Sequence, residues 1–274
     1  MSDVAVVTGT SSGMGLHTAV ALAHRGLTVV ATMRDPGRAD RLRAAADEAG
    51  VTLDVRALDV TDHAAATACI EQVRADHGQI DVLVNNAGRG MVGTAEQLTA
   101  SDVRDQLEVN YLGPVNLTRA VLPGMREAGR GRILTVTSVG GSVGQPFADA
   151  YCGSKFAVEG FMQSLAVVAH PFGVWVSVVE PAAVASDFVT NGARIEPGPY
   201  ADQLEAYLAR TEQAFAVAQP AADAGRAIAE AATAPEYRFR WHTSDGARSF
   251  AGLSLADLDG SRVLGATSGW ITRS

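Results

Sequence analysis

Charge is scarce in this sequence. Asp, Glu, Lys and Arg make up only 19% of 274 residues, and the 30 acids outnumber the 22 bases. The resulting net charge of −8 would repel a phosphate backbone or an anionic lipid surface, so neither nucleic acid nor membrane is expected as a partner. Aromatics reach only 6%, so the core must come from aliphatic and alanine packing; with 47% apolar residues, general disorder is excluded. The two cysteines, Cys69 and Cys152, lie far apart without a CxxC, and the six histidines are scattered, so no metal site is expected and a reducing compartment fits. No apolar run is long enough to span a bilayer, since the longest candidate, 161–179, is broken by Gln163, His170, Pro171 and Gly173. The first ten residues lack the basic region of a signal peptide, and a cytoplasmic location is expected.

What the chain does have is alternation. Short β-branched runs at 4–8, 28–32, 53–58, 82–85, 132–138, 174–179 and 237–241 predict strands. Segments of helical period at 13–25, 36–49, 63–77, 101–128, 151–170 and 221–232 predict the helices between them. Strands buried on both faces and alternating with helices specify an α/β fold: a single-domain, doubly wound parallel sheet, Rossmann-like, with helices on both faces. Ligands then bind at the carboxyl ends of the strands, where the strand order reverses. Residues 183–219 break the alternation and read as an insertion after the sixth strand; its 200–219 part suits an amphipathic helix, and its position suits a lid over a ligand.

The turn Thr8-Gly9-Thr10-Ser11-Ser12-Gly13-Met14-Gly15 follows the first strand and opens a helix, where backbone amides and the positive helix end can face a pyrophosphate. Its TGxxxGxG spacing resembles that of the short-chain dehydrogenase/reductase family. The resemblance continues through Asn85-Asn86-Ala87-Gly88, Asn110 in the next helix, Ser138 ending the fifth strand and Tyr151-x-x-x-Lys155. It is strongest to NADP(H)-preferring, hydroxysteroid- and retinol-type members. It implies residues 1–100 as mainly dinucleotide-binding, 101–182 as catalytic, 183–219 as the substrate lid and 220–274 as the last helix, last strand and tail.

The same resemblance implies a cofactor site built from Gly9, Ser11, Ser12, Gly13, Met14, Gly15, Asp59, Val60, Asn86, Ala87, Gly88, Tyr151, Lys155, Pro181, Ala182, Val184 and Ser186. After the second strand, Met33 stands at the usual acidic position and Arg34 follows, so a guanidinium can meet a 2′-phosphate. NADP(H) is therefore expected rather than NAD(H), the alternative being that Asp35 serves a free ribose hydroxyl. Ala182 replaces the family's usual glycine and Ser186 its threonine.

Tyr151 and Lys155 are i and i+4, so both side chains emerge on one helix face. An adjacent ammonium and the positive charge of an oxidised nicotinamide are both expected to favour the phenolate, pulling the phenol below its ordinary pKa near 10 and making it a general acid/base. Ser138 would orient the substrate oxygen; Asn110, by resemblance, would hold water in a proton relay to Lys155. The substrate pocket is expected to be lined by residues 139–147, Met91 and residues 188–215, with Val139, Gln145, Phe147 and Phe188 in contact with substrate and Val143 and Phe215 adding apolar surface. The implied reaction is reversible hydride transfer between a carbonyl and an alcohol on an apolar substrate. Two alternatives stay open: a dinucleotide-sensing regulator, and a dehydratase or epimerase on the same scaffold. A homodimer or homotetramer is implied by the resemblance.

Overall fold

The computed structural model describes residues 2–186, 198–256 and Gly269, with the backbone at 193–194. Phe188 and the end of the tail lie outside the described residues. Strands β1 (Val4–Thr8), β2 (Thr28–Met33), β3 (Asp54–Ala57), β4 (Val82–Asn85), β5 (Gly131–Val136), β6 (Val174–Glu180) and β7 (Arg240–His242) form one sheet in the order β7-β6-β5-β4-β1-β2-β3. Every neighbouring pair is parallel. The order turns back between β1 and β4, which opens a crevice at their carboxyl ends.

Successive side chains on a strand point to opposite faces, and both faces here are apolar. Val4 and Val6 pack with Val30, Leu83, Ile133 and Val176 against helices α3 (His63–His77), α5 (Gly113–Ala128) and α6 (Asp149–Ala169). Ala5 and Val7 pack with Val29, Ala31, Val84 and Leu134 against α1 (Gly13–His24), α2 (Asp40–Ala49) and α8 (Ala221–Thr233). Each fully buried Leu, Ile or Val contributes about 1.5–3 kcal/mol, so the two apolar layers hold the crevice rigid from both sides. The remaining helices are α4 (Ala100–Leu107), α7 (Ala201–Ala216) and α9 (Asp245–Leu255). Among the described residues, no helix is long and apolar enough to cross a membrane.

Three sequence expectations need correction. The 101–128 helix is two helices, α4 and α5, joined by a π turn at Glu108–Leu112. The wider turn takes Asn110 into the interior, where its amide finds partners outside the helix ladder. The fifth strand ends at Val136 rather than at Ser138, which instead caps a short 3-10 turn, accepting from the Gly140 amide. The last strand is shifted to Arg240–His242, because Tyr237 uses its hydroxyl to bond Val176 O from beside the sheet.

Candidate active site

The phosphate turn is fastened from below. Thr10 N donates to Thr32 O at 3.1 Å, and Thr8 Oγ1 accepts from the backbone amides of Asn86 and Ala87 at 3.0 Å each. Gly9 has φ +70°, a left-handed value that suits glycine, and a Cβ there would meet Ala87 Cα at 2.8 Å. Gly15 is as restricted, since its Cβ would lie 2.3 Å from Gly9 O and from Asn86 Nδ2. Ser12 occupies the α1 N-cap in an extended conformation without capping through its side chain, so its hydroxyl is uncommitted to a helix amide. Ser11, Gly13 and Met14 complete the helix entrance, and Ser186 comes close to Gly13 from the other side, 3.3 Å from where a Cβ would stand. Asn86 Oδ1 is buried without a partner among the described residues. An anionic dinucleotide fits these features: glycines leave room for its pyrophosphate, and an unmatched polar atom stands beside it.

At the end of β2, Met33 is buried and Arg34 is exposed. Asp35, the alternative ribose partner, accepts from Gly37 N at 2.9 Å and caps the turn Pro36–Arg38. One carboxylate oxygen of Asp35 is thus committed to the cap, and exposed Arg34 brings a cation to the same strand end. Asp59 is similarly occupied by Thr61, through both its amide and its hydroxyl, and Val60 is buried against Gly113.

Across the crevice, β5 and α6 bring Ser138, Tyr151 and Lys155 together on one cavity wall. Ser138 hydrogen-bonds the Tyr151 hydroxyl. Lys155, only 4% exposed, donates from Nζ to Val136 O at 3.0 Å. Burial lowers the Lys155 ammonium to about 8, with Glu159 opposing that shift. Burial also raises the Tyr151 phenol above its ordinary value, and the Ser138 hydrogen bond offsets part of the rise. Desolvation of the phenol thus outweighs the Ser138 hydrogen bond in the protein alone. A neutral phenol is the form that donates a proton.

Asn110 accepts from Arg89 N and donates to Arg89 O and Ser154 Oγ, each at 3.0 Å. Its amide thus ties the 88–90 loop to α6, and a Cβ on Gly88 would come within 3.3 Å of Asn110 Oδ1 and 3.6 Å of Lys155 Nζ. The residues of the Asn-Ala-Gly and Tyr-x-x-x-Lys motifs, some 60 positions apart, thereby converge on one point.

The cavity that joins these groups has a volume of about 620 Å³. Its lining includes Met14, Asn86, Gly88, Pro181, Ala182, Val184 and Ser186 from the expected cofactor site, together with Met91, Val139, Gln145 and Phe215 from the expected substrate pocket. Phe147 and Val143, expected as pocket lining, do not reach it. Val143 is fully buried, and the Phe147 ring is clamped under α7 against Tyr207 (5.6 Å between ring centroids) and Tyr200 (6.4 Å). Tyr207, inside the expected 188–215 stretch, lines the cavity from the apolar face of α7 that it shares with Leu204 and Leu208. Phe250 lines it too and escaped the sequence reading, since it comes from α9, which carries no motif. Among the described residues, no group of His, Cys, Asp and Glu is arranged to hold a metal.

A parallel, doubly wound sheet with a glycine turn at its switch point and a half-buried tyrosine beside a buried lysine across the crevice defines a dinucleotide-binding class of fold. The chain belongs to the short chain dehydrogenase family, whose profile matches residues 3–195. It is 44% identical over 187 residues to retinol dehydrogenase 8 of Homo sapiens, covering 67% of this chain and 59% of that one. It is 38% identical over 276 residues to 17-beta-hydroxysteroid dehydrogenase type 1 of Homo sapiens, covering 95% of this chain and 83% of that one. The crystal structure of a single-site variant of actinorhodin polyketide ketoreductase with NADPH superposes with a TM-score of 0.77 at 30% identity, covering 89% of this chain and 97% of the other.

Proposed function

We propose that the protein is an NADP(H)-dependent carbonyl reductase or alcohol dehydrogenase for a bulky apolar substrate, with Asn110, Ser138, Tyr151 and Lys155 as its catalytic group. The observation that carries this reading is the shared cavity: Ser138, Tyr151 and Lys155 face the same space as Met14, Asn86 and Gly88 from the phosphate-turn side. The bound cofactor supplies the hydride. Tyr151, held as a neutral phenol, gives its proton to the substrate oxygen. Ser138 hydrogen-bonds that oxygen and fixes its orientation, and Lys155 stabilises the phenolate left behind. Asn110 holds the loop against which the substrate and cofactor sites meet.

Arg34, with Asp35 committed to its cap, supports a 2′-phosphate and hence NADP(H), as does the NADPH in the similar ketoreductase. The apolar lining contributed by Met91, Val139, Tyr207 and Phe215 supports a large hydrophobic ketone, a class that includes the steroids and retinoids in the relatives' names. Exposed Val103, Leu112 and Phe156 on α4, the π turn and α6 support a homodimer or homotetramer. A monomeric mass in light scattering at micromolar concentration would count against that assembly.

The decisive assay follows NADPH absorbance with a panel of ketones. Tyr151→Phe is expected to lower kcat by about 10²–10⁴-fold while leaving NADPH affinity within a few-fold of wild type. Near wild-type turnover in that variant rejects the mechanism. Tight NADPH binding with no ketone consumed points to a sensor, and product formation without net NADPH consumption points to a dehydratase or epimerase.

A further inference from the structure

The end of β5 meets one face of α6 contact by contact. Val136 O accepts from Lys155 Nζ at 3.0 Å, Thr137 Oγ1 donates to Glu159 Oε1 at 2.8 Å, and Ser138 bonds the Tyr151 hydroxyl. Tyr151, Lys155 and Glu159 are spaced i, i+4, i+8 and so stack along that face. The first two have roles in the reading above; the third does not.

Glu159 is buried and elaborately held. Arg240 Nη1 lies 2.6 Å from Glu159 Oε2 and also pairs with Glu180, which is fully buried. Ser142 donates to Glu180, and His242 Nε2 is 2.9 Å from Glu180 Oε2. A Cβ on Gly141 would come to 2.5 Å from Glu159 Oε1, so the carboxyl is pressed beneath the turn that follows Ser138.

Charge balance shows what this cluster lacks. When both carboxylates are ionised, Arg240 balances only one of them, and His242 is held towards its neutral form by burial and by Arg248, Arg240 and Arg238, with Glu159 opposing. The buried cation one helical turn from Glu159 is Lys155. A buried ion cluster is a poor source of stability compared with apolar packing, which makes structure alone an insufficient reason for it. We propose that Glu159 is a positioning residue that keeps the Lys155 ammonium charged in its dry pocket, with Thr137 and Arg240 fixing the carboxylate that does so.

The two groups also titrate in adjoining ranges. Burial and the facing Glu180 raise the Glu159 carboxyl to about 7, against the pull of Arg240 and Thr137, while the Lys155 ammonium is lowered to about 8. The two shifts bring the titrations of acid and base towards one another.

This inference rests on Lys155 belonging to the catalytic group, but it can be read without turnover. Lys155 is the only lysine in the sequence, so protein labelled with ¹⁵N at lysine Nζ gives one side-chain ammonium resonance. Its titration midpoint in the full-length protein is expected near 8. In Glu159→Gln the midpoint should fall by about one pH unit or more. The alkaline limb of kcat for ketone reduction at saturating NADPH should move down with it, while the ketone KM changes little. An unmoved Lys155 midpoint in a folded Glu159→Gln protein overturns the proposal, because a merely structural glutamate would lower Tm and leave the lysine where it was. A shifted midpoint in protein that reduces no ketone supports the proposal and rejects the catalytic reading. If Glu159→Gln does not fold, Thr137→Val, which releases one carboxylate oxygen, should give a smaller shift in the same direction; no shift there overturns the proposal equally.

Discussion

Asn86 and Gly9 are bound side chain to backbone: Asn86 Nδ2 donates to Gly9 O at 3.1 Å and to Thr8 O at 2.8 Å. One amide on the loop after β4 thus sets the shape of the turn after β1, across the crevice where the strand order reverses. Asn86→Ala should leave both carbonyls without that donor and loosen the turn. NADPH affinity is expected to fall by about tenfold, the scale of one to two lost hydrogen bonds, with a smaller loss of Tm. Fluorescence titration of NADPH measures it; unchanged affinity would show that the turn keeps its shape without Asn86.

Arg34 and Asp35 make a second, independent test of cofactor choice. Because Asp35 caps the Pro36–Arg38 turn, removing the arginine does not by itself create a ribose acceptor. Arg34→Ala should weaken NADPH by about tenfold or more, the worth of a charge-assisted hydrogen bond, and leave NADH within a few-fold. Equal losses for both cofactors would mean that Arg34 stacks on the adenine rather than meeting the 2′-phosphate.

The glycine turn and the Tyr151/Lys155 pair were legible because the residues of each are close in sequence. Each arises within one strand-to-helix junction or one helical turn, where spacing fixes geometry. Arg240 and Glu159 are 81 positions apart, and nothing local to either announces the other. Phe147 was misassigned for a related reason: an aromatic beside a catalytic loop suggests a pocket wall, whereas the ring's direction depends on α7, which folds back from residues 201–216. Asn110 stood out as an amide inside a helix, but period alone does not distinguish a π turn from an α turn.

The buried acid and base impose opposite slopes on stability. Glu159 is raised from 4.5 to about 7, so the folded protein binds more protons across that window and the group's contribution is lost as pH rises towards 7. Lys155 is lowered from 10.5 to about 8, so the unfolded chain binds more protons between those values and the contribution grows as pH rises from 8 to 10.5. Urea denaturation of wild type and Lys155→Met should therefore converge as pH rises above 8, with Lys155→Met relatively more stable below it. A stability difference that stays constant from pH 7 to 10 would show that Lys155 titrates at its ordinary value.

Phe147 has a left-handed backbone, φ +56°, a conformation that costs an ordinary side chain about 1 kcal/mol or more. What holds it there is the ring, buried beside Tyr207, Leu204 and Tyr200, while Tyr200 Oη donates to Glu96 at 2.6 Å and ties the start of α7 to the same wall. Phe147→Gly would relieve the backbone but remove the ring, and burial of an aromatic outweighs the strain: truncating a core Phe costs about 3–5 kcal/mol. The net loss should fall on the attachment of α7 rather than on the sheet, since Phe147 packs with α7 and outside both sheet cores. Amide exchange in α7 should accelerate while β1 and β4 stay protected. The KM for bulky ketones should rise several-fold with NADPH affinity unchanged, because Tyr207 and Phe215 line the cavity from α7. If exchange in α7 is unaltered, α7 is held over the cavity by contacts other than this ring.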